Sequence, residues 1–219
     1  MFAIRMKTHR PTLALFSLVA ILFGTSLVAV ERTGTFTAVG ASDAVKQNVE
    51  DKGYHVSLDG GWSADLWFAR SLATSATPAA GALYPDLANG EFVGVVTFPK
   101  GASDFRGQAI PAGTYTLRYQ YIPQDANHMG VSPNPDFLLA IPIASDTTPS
   151  ENLALKRLVA LSAKSTGTSH PAVFAMASAG SPNSVAKDDQ GMSIFTVEVP
   201  GTAGKPEKFG IVVKGQATQ

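Results

Sequence analysis

Strict two-residue alternation is the strongest constraint in this chain. Over residues 114–121 (TYTLRYQY), Tyr115, Leu117, Tyr119 and Tyr121 fall on one side, and Thr114, Thr116, Arg118 and Gln120 on the other. That period belongs to a half-buried antiparallel strand, because a helix would scatter the rings around its circumference. The preceding Ile110-Pro111-Ala112-Gly113 has proline second and glycine fourth, as a type I turn prefers. The alternation recurs over 192–199, with Phe195, Val197 and Val199 inward, and over 208–214, with Phe209, Ile211 and Val213 inward. Residues 200–206 (PGTAGKP) join those two strands as a hairpin loop. Tyr54, Val56 and Leu58 alternate up to Asp59-Gly60-Gly61, beyond which 64–69 (ADLWFA) reads as the returning strand. The runs 92–98 (FVGVVTF) and 137–143 (FLLAIPI) are nearly continuous in apolar residues, which suits strands covered on both faces. Pro142 then belongs at a strand end or edge, and 173–177 is a further short candidate.

One helix is signposted. Thr148 is placed to cap it, Pro149 suits the first helical position, and Glu151 completes a capping box. Leu155, Leu158 and Val159 give an apolar stripe that runs on to about Lys164, and Gly167 is the stop. Residues 71–81 and 177–189 are small and polar and read as loops. About eight strands with one short helix predict a mainly β fold, an antiparallel β-sandwich or open barrel, in a single domain over residues 30–219.

Residues 1–29 read as a secretory signal peptide. Arg5, Lys7 and Arg10 precede an apolar run at 13–23 (LALFSLVAILF), and small residues up to Ala29 offer a cleavage point. The run is short against the ~20 residues of a spanning helix, so no membrane span is expected after cleavage. The expected location is the periplasm or the exterior. Removal of the leader takes three basic residues and no acid, leaving 14 basic residues against 17 acidic ones. A slightly acidic chain lacks the basic field of a nucleic-acid partner. With no cysteine, thiol catalysis and disulfides are excluded, and stability rests on the core.

No phosphate-binding loop, dinucleotide fingerprint, zinc-protease helix or nucleophile elbow is present, which favours a non-catalytic chain and leaves a hydrolase with a carboxylate pair as the third reading, since spatial pairing is invisible in sequence. Two loops stand above background. One is 125–136 (DANHMGVSPNPD), where His128 sits among Asp125, Asn127 and Asp136 beside Met129; the other is Ser169-His170-Pro171. Should His128 and His170 meet at one end of the sandwich with Asp136 or Asp146, they would suit a divalent metal. Met129 or Met176 would adapt the same site to copper(I). Alternatively, each imidazole pins its own loop by hydrogen bonding. Among the aromatic residues, Trp62 lies just past a turn and Trp67 faces away from Leu66 and Phe68, making these two the candidates for a binding surface. His55 falls on the polar face of its strand, and Asp104 and Arg106 are placed to pair within their loop.

The string DFRGQAIPAGTYTLRY (104–119), with NHMGVSP (127–133), DFLLAIP (136–142) and SHPA (169–172), resembles a group of exported bacterial proteins of uncharacterised activity. The resemblance covers roughly residues 62–174 and implies export and a shared β fold; it implies no activity. The sequence thus predicts an exported binding or interaction module using loops around His128 and His170. Its partner would be a small ligand, an envelope polymer or a protein. The alternative is a metal-binding or metal-dependent protein using the same histidines.

Overall fold

Apolar faces at period two bury themselves by pairing side by side, and in the computed structural model ten strands do so in one sheet. The structure describes residues 28–122, 132, 134–202 and 204–215. The strands are β1 (Ala29–Arg32), β2 (Tyr54–Leu58), β3 (Trp62–Phe68), β4 (Phe92–Phe98), β5 (Ala102–Ser103), β6 (Ala109–Ile110) and β7 (Gly113–Tyr121). They continue as β8 (Asp136–Pro142), β9 (Ala172–Ala177), β10 (Ser184–Lys187), β11 (Ser193–Val199) and β12 (Glu207–Lys214). Two helices, α1 (Asp43–Asn48) and α2 (Leu155–Thr166), complete the elements used below.

The large sheet runs β1-β2-β3-β4-β7-β8-β9-β12-β11-β10, every neighbouring pair antiparallel, and β5–β6 form a separate small hairpin. Its edge strands β1 and β10 touch, so the sheet nearly closes on itself. The fold is therefore mainly antiparallel β and barrel-like, with more strands than the eight expected. Aromatic rings from opposite walls fill the interior. Tyr54 meets Phe195 at 5.4 Å, Phe68 meets Phe209 at 5.9 Å and Phe98 stacks on Phe174 at 5.7 Å. These contacts add packing specificity to the burial of the rings.

Both hairpins expected from sequence form, β2–β3 around Asp59-Gly60-Gly61 and β11–β12 around residues 200–206. Pro142 ends β8, where no further ladder bond is asked of it. Several details differ. The outer face of β7 is not solvated: Thr116, Arg118 and Gln120 are as buried as the tyrosines opposite. Residues 148–151 do not start the helix. They form a turn whose carbonyls face Arg118, and α2 begins at Leu155 with Ala154 as an uncapped N-cap. Gly167 does end α2, in the left-handed conformation, with its N–H on the Ala163 carbonyl.

The buried stripe of α2 is Leu158, Leu161, Ser162 and Ser165, while Leu155 is exposed. This stripe packs on the outer face of β8, where Leu158 and Leu161 meet Phe137, Leu139 and Ile141. Ser162 and Ser165 both donate to the Ala140 carbonyl, at 2.7 and 2.9 Å. Five elements were not expected: β1, the β5–β6 hairpin, β10 and α1. Helix α1 is a six-residue turn capped by the Ser42 side chain and holding one buried residue, Val45, too little to leave a periodic signal. Strand β10 lies inside the 177–189 segment read as loop.

Because neighbouring strands alternate in direction, the connections fall at two ends. Residues 69–91, 178–183 and 200–206 lie at one end, where Tyr121 pairs with Asp136. The 59–61 turn, the β5–β6 hairpin and the approach to β9 lie at the other.

Candidate functional site

Buried charge is the first place to look for chemistry, because an ionised group away from water must be matched or it neutralises. Arg118, 1% exposed, has five N–H groups, and the fold engages them all. Nε and Nη2 form a fork on the Asp146 carboxylate at 2.8 and 2.7 Å. Nη1 reaches the carbonyls of Gly90, Pro149 and Glu151, each at 3.0 Å, and Nη2 also reaches that of Thr148 at 2.9 Å. Thr116 donates to the remaining face of Asp146 at 2.7 Å. This cluster ties the 146–151 segment to β7 and leaves the guanidinium no N–H for a ligand.

Asp136, a candidate ligand in the sequence reading, is equally occupied. It is buried and accepts the backbone N–H of Leu83 (2.7 Å), that of Tyr84 (3.0 Å) and the Tyr119 hydroxyl (2.7 Å). Tyr84 in turn donates to the Ala177 carbonyl and accepts from Gly210 N–H. Burial pushes the Tyr84 hydroxyl up to about 12, with the Asp136 charge adding to the rise. Tyr119 is raised further, first by burial and then by its bond to Asp136. Asp104 does not pair with the Arg106 guanidinium. Its carboxylate accepts N–H groups from Arg106, Gln108 and Val173 and the Gln108 side-chain amide, clamping that loop to β9.

His128 and Met129 lie outside the described residues. His170 is exposed at the far end, two residues before Ala172, which pairs with Ala140. Asp136 stands four strand residues from Ala140, about 14 Å along β8. Asp146 belongs to the Arg118 cluster, and Met176 points into the core. Among the described residues, no group of three or more histidines and carboxylates is placed to hold a metal ion. His55 bonds Asp65 at 2.6 Å on the outer face of β2–β3.

The two tryptophans differ. Trp67 is buried beneath Phe36, ring to ring 5.2 Å, and its Nε1–H donates to the Gly34 carbonyl at 2.8 Å, so its ring is not an open platform. Trp62 is half-buried at the barrel mouth, 6.3 Å from the Phe98 ring. The apolar hollow beneath it is only about 10 Å³, the size of one water.

Hydrogen-bonding side chains gather around a cleft of about 380 Å³ at the 69–91 end, within the usual range of small-molecule sites. Asn48, Ser71, Asn89, Glu91, Ser150 and Asn152 line it, and Arg118 and Phe92 lie at its floor. Gly90 makes the geometry possible. At φ +83° it passes under the 149–153 segment, where a Cβ would stand 2.7 Å from Asn152 Oδ1 and 2.9 Å from the Leu153 carbonyl.

Glu91 accepts the Ala73 N–H on one oxygen at 2.8 Å. Burial raises its carboxyl above the usual range, opposed by that hydrogen bond and by the Arg118 charge. Asn89 accepts Tyr121 N–H through Oδ1 at 2.7 Å, leaving its amide N–H groups without a partner among the described residues. Asn48 donates to Ala44, leaving Oδ1. Sequence reading missed this site, because its residues come from six separated segments and none has a distinctive spacing. No protein-family model, curated protein or solved structure matches the chain.

Proposed function

We propose that this protein is an exported, non-catalytic binding protein that takes a polar ligand in the cleft beside Glu91. One observation carries the reading. The buried polar side-chain atoms of the described residues are all paired within the fold, whereas the cleft collects exposed amides and hydroxyls that keep at least one group without a partner among the described residues. A group engaged by its own protein is scaffold; a group left free in a concavity is recognition. Tyr121, the last residue of β7, joins this same end through its N–H on Asn89. Export is supported by the charged, then apolar, then small-residue pattern of residues 1–29.

Two measurements test the proposal. The full chain expressed in a Gram-negative host should be recovered from the periplasm with a mass lacking about residues 1–29; an unprocessed chain held in the membrane or cytoplasm would contradict export. The recovered protein should not turn over chromogenic ester, phosphate or glycoside substrates. Glu91 and Glu151 both line the cleft, so glycoside turnover abolished by Glu91→Gln would replace binding with carboxylate-pair hydrolysis.

A further inference from the structure

The valences left open in the cleft define what it can hold, and we infer that its ligand is a neutral oligosaccharide. This inference rests on the reading of the cleft as the binding site.

Anions find no free cationic side chain in the lining. Arg118, the one cation at the floor, has its N–H groups on Asp146 and four carbonyls. Some of the backbone amides along or beside the lining are also taken. Leu72 N–H is on Pro200, Ala73 N–H on Glu91, Gly90 N–H on Tyr119, Glu91 N–H on Ala88 and Thr202 N–H on Leu72. A phosphate or carboxylate would enter among two carboxyl side chains with nothing to neutralise it.

Apolar groups find no pocket. The apolar residues of the lining are Ala69, Ala73, Ala88, Phe92 and Pro149, and they form no separate hollow. The one large ring, Phe92, is buried and faces the Arg118 guanidinium at 5.6 Å. A peptide would bring side chains that need such pockets, because alternate side chains carry specificity in an extended chain. An acyl chain would gain little by leaving water here.

What remains free is a mixture of donors and acceptors at short range. Asn89 offers amide N–H, Asn48 offers Oδ1, and the Asn152 amide and the Ser71 and Ser150 hydroxyls have no partner among the described residues. Each sugar hydroxyl both donates and accepts, so it complements amides and hydroxyls without a net charge. A volume of about 380 Å³ fits a small-molecule portion such as the end of a chain, with the rest left in solvent.

Isothermal titration of the full protein with maltotetraose, cellotetraose and chitotetraose tests this, with spermidine and tetraalanine as the amine and peptide arms. At least one tetrasaccharide should bind. Asn152→Ala and Asn89→Asp should each weaken it about tenfold, the scale of one lost hydrogen bond to a ligand. Asn89→Asp keeps the acceptor that Tyr121 N–H needs, so a loss of binding with an unchanged melting temperature separates recognition from folding. Binding of spermidine or tetraalanine alone, sensitive to the same two variants, would overturn the saccharide inference and leave the cleft as the binding site. Saccharide binding unaffected by both variants would place the ligand elsewhere and overturn both. No binding in any arm would also overturn both.

Discussion

Arg118 and Glu91 border the same cleft and carry opposite charge, yet the fold treats them differently. The arginine is surrounded by six oxygen acceptors, two on Asp146 and one on each of four carbonyls. The glutamate has one oxygen held by Ala73 N–H and is half-buried against open space. A charge fully matched by its own protein fixes the position of a loop; a partly matched one remains able to answer a ligand or a proton. In this molecule the buried charges tie loops to the barrel, and the proposed recognition rests on the uncharged groups beside them.

That contrast breaks most visibly if Arg118 is removed. Arg118→Met leaves the Asp146 carboxylate buried without its fork and should cost about 3–5 kcal/mol in urea unfolding. Pairing it with Asp146→Leu should recover much of that loss, because both charges then leave together. Additive losses in the double variant would mean that the two residues do not act as one unit.

Next in size is Asp136→Ala, which strands two backbone N–H groups and the Tyr119 hydroxyl at about 1–3 kcal/mol for each donor left unmet. A melt close to wild type would show that this carboxylate is not held for structure. Alkaline titration adds a smaller effect. Tyr84 and Tyr119 ionise above their unfolded values, so their stabilisation is complete below pH 10 and falls as pH rises toward 12 and beyond. Tyr119→Phe should flatten that alkaline loss.

The smallest effect sharpens the other half of the contrast. A raised Glu91 carboxyl takes up its proton in the folded state first, so stability gains as pH falls through its folded value. Glu91→Gln keeps the acceptor for Ala73 N–H and removes the cost of a buried charge. The variant should melt at or slightly above wild type at pH 7, by under about 1 kcal/mol, and lack the acid-side gain.

Much of the barrel was legible in sequence, because alternation is a local property. Tyr115, Leu117 and Tyr119 announced one face of β7, and Asp59-Gly60-Gly61 announced a hairpin. Alternation says that two faces differ, but not that the polar one is wet. Thr116 and Arg118 looked solvent-facing, yet the 146–151 segment, some thirty residues later, covers them. The same distant pairing explains the false helix start. Thr148, Pro149 and Glu151 have the residue types of a cap, but their carbonyls are drawn to Arg118 instead of opening a helix. The sequence reading makes Asp136 a ligand to a metal or small molecule, whereas its carboxylate is held by partners at 83, 84 and 119 that could not be read from its neighbours. The cleft itself was invisible, since Asn48, Asn89 and Asn152 are ordinary asparagines until the chain folds.

Side-chain N–H resonances follow both halves of the contrast in one experiment, a two-dimensional ¹⁵N–¹H spectrum of the labelled protein recorded in H₂O and during titration with the three tetrasaccharides. The account predicts a slowly exchanging Arg118 Nε–H that stays in place, while the Asn89 and Asn152 amide signals shift with one of the sugars. A rapidly exchanging Arg118 Nε–H, or one that moves with ligand while the asparagine amides stay still, would contradict it.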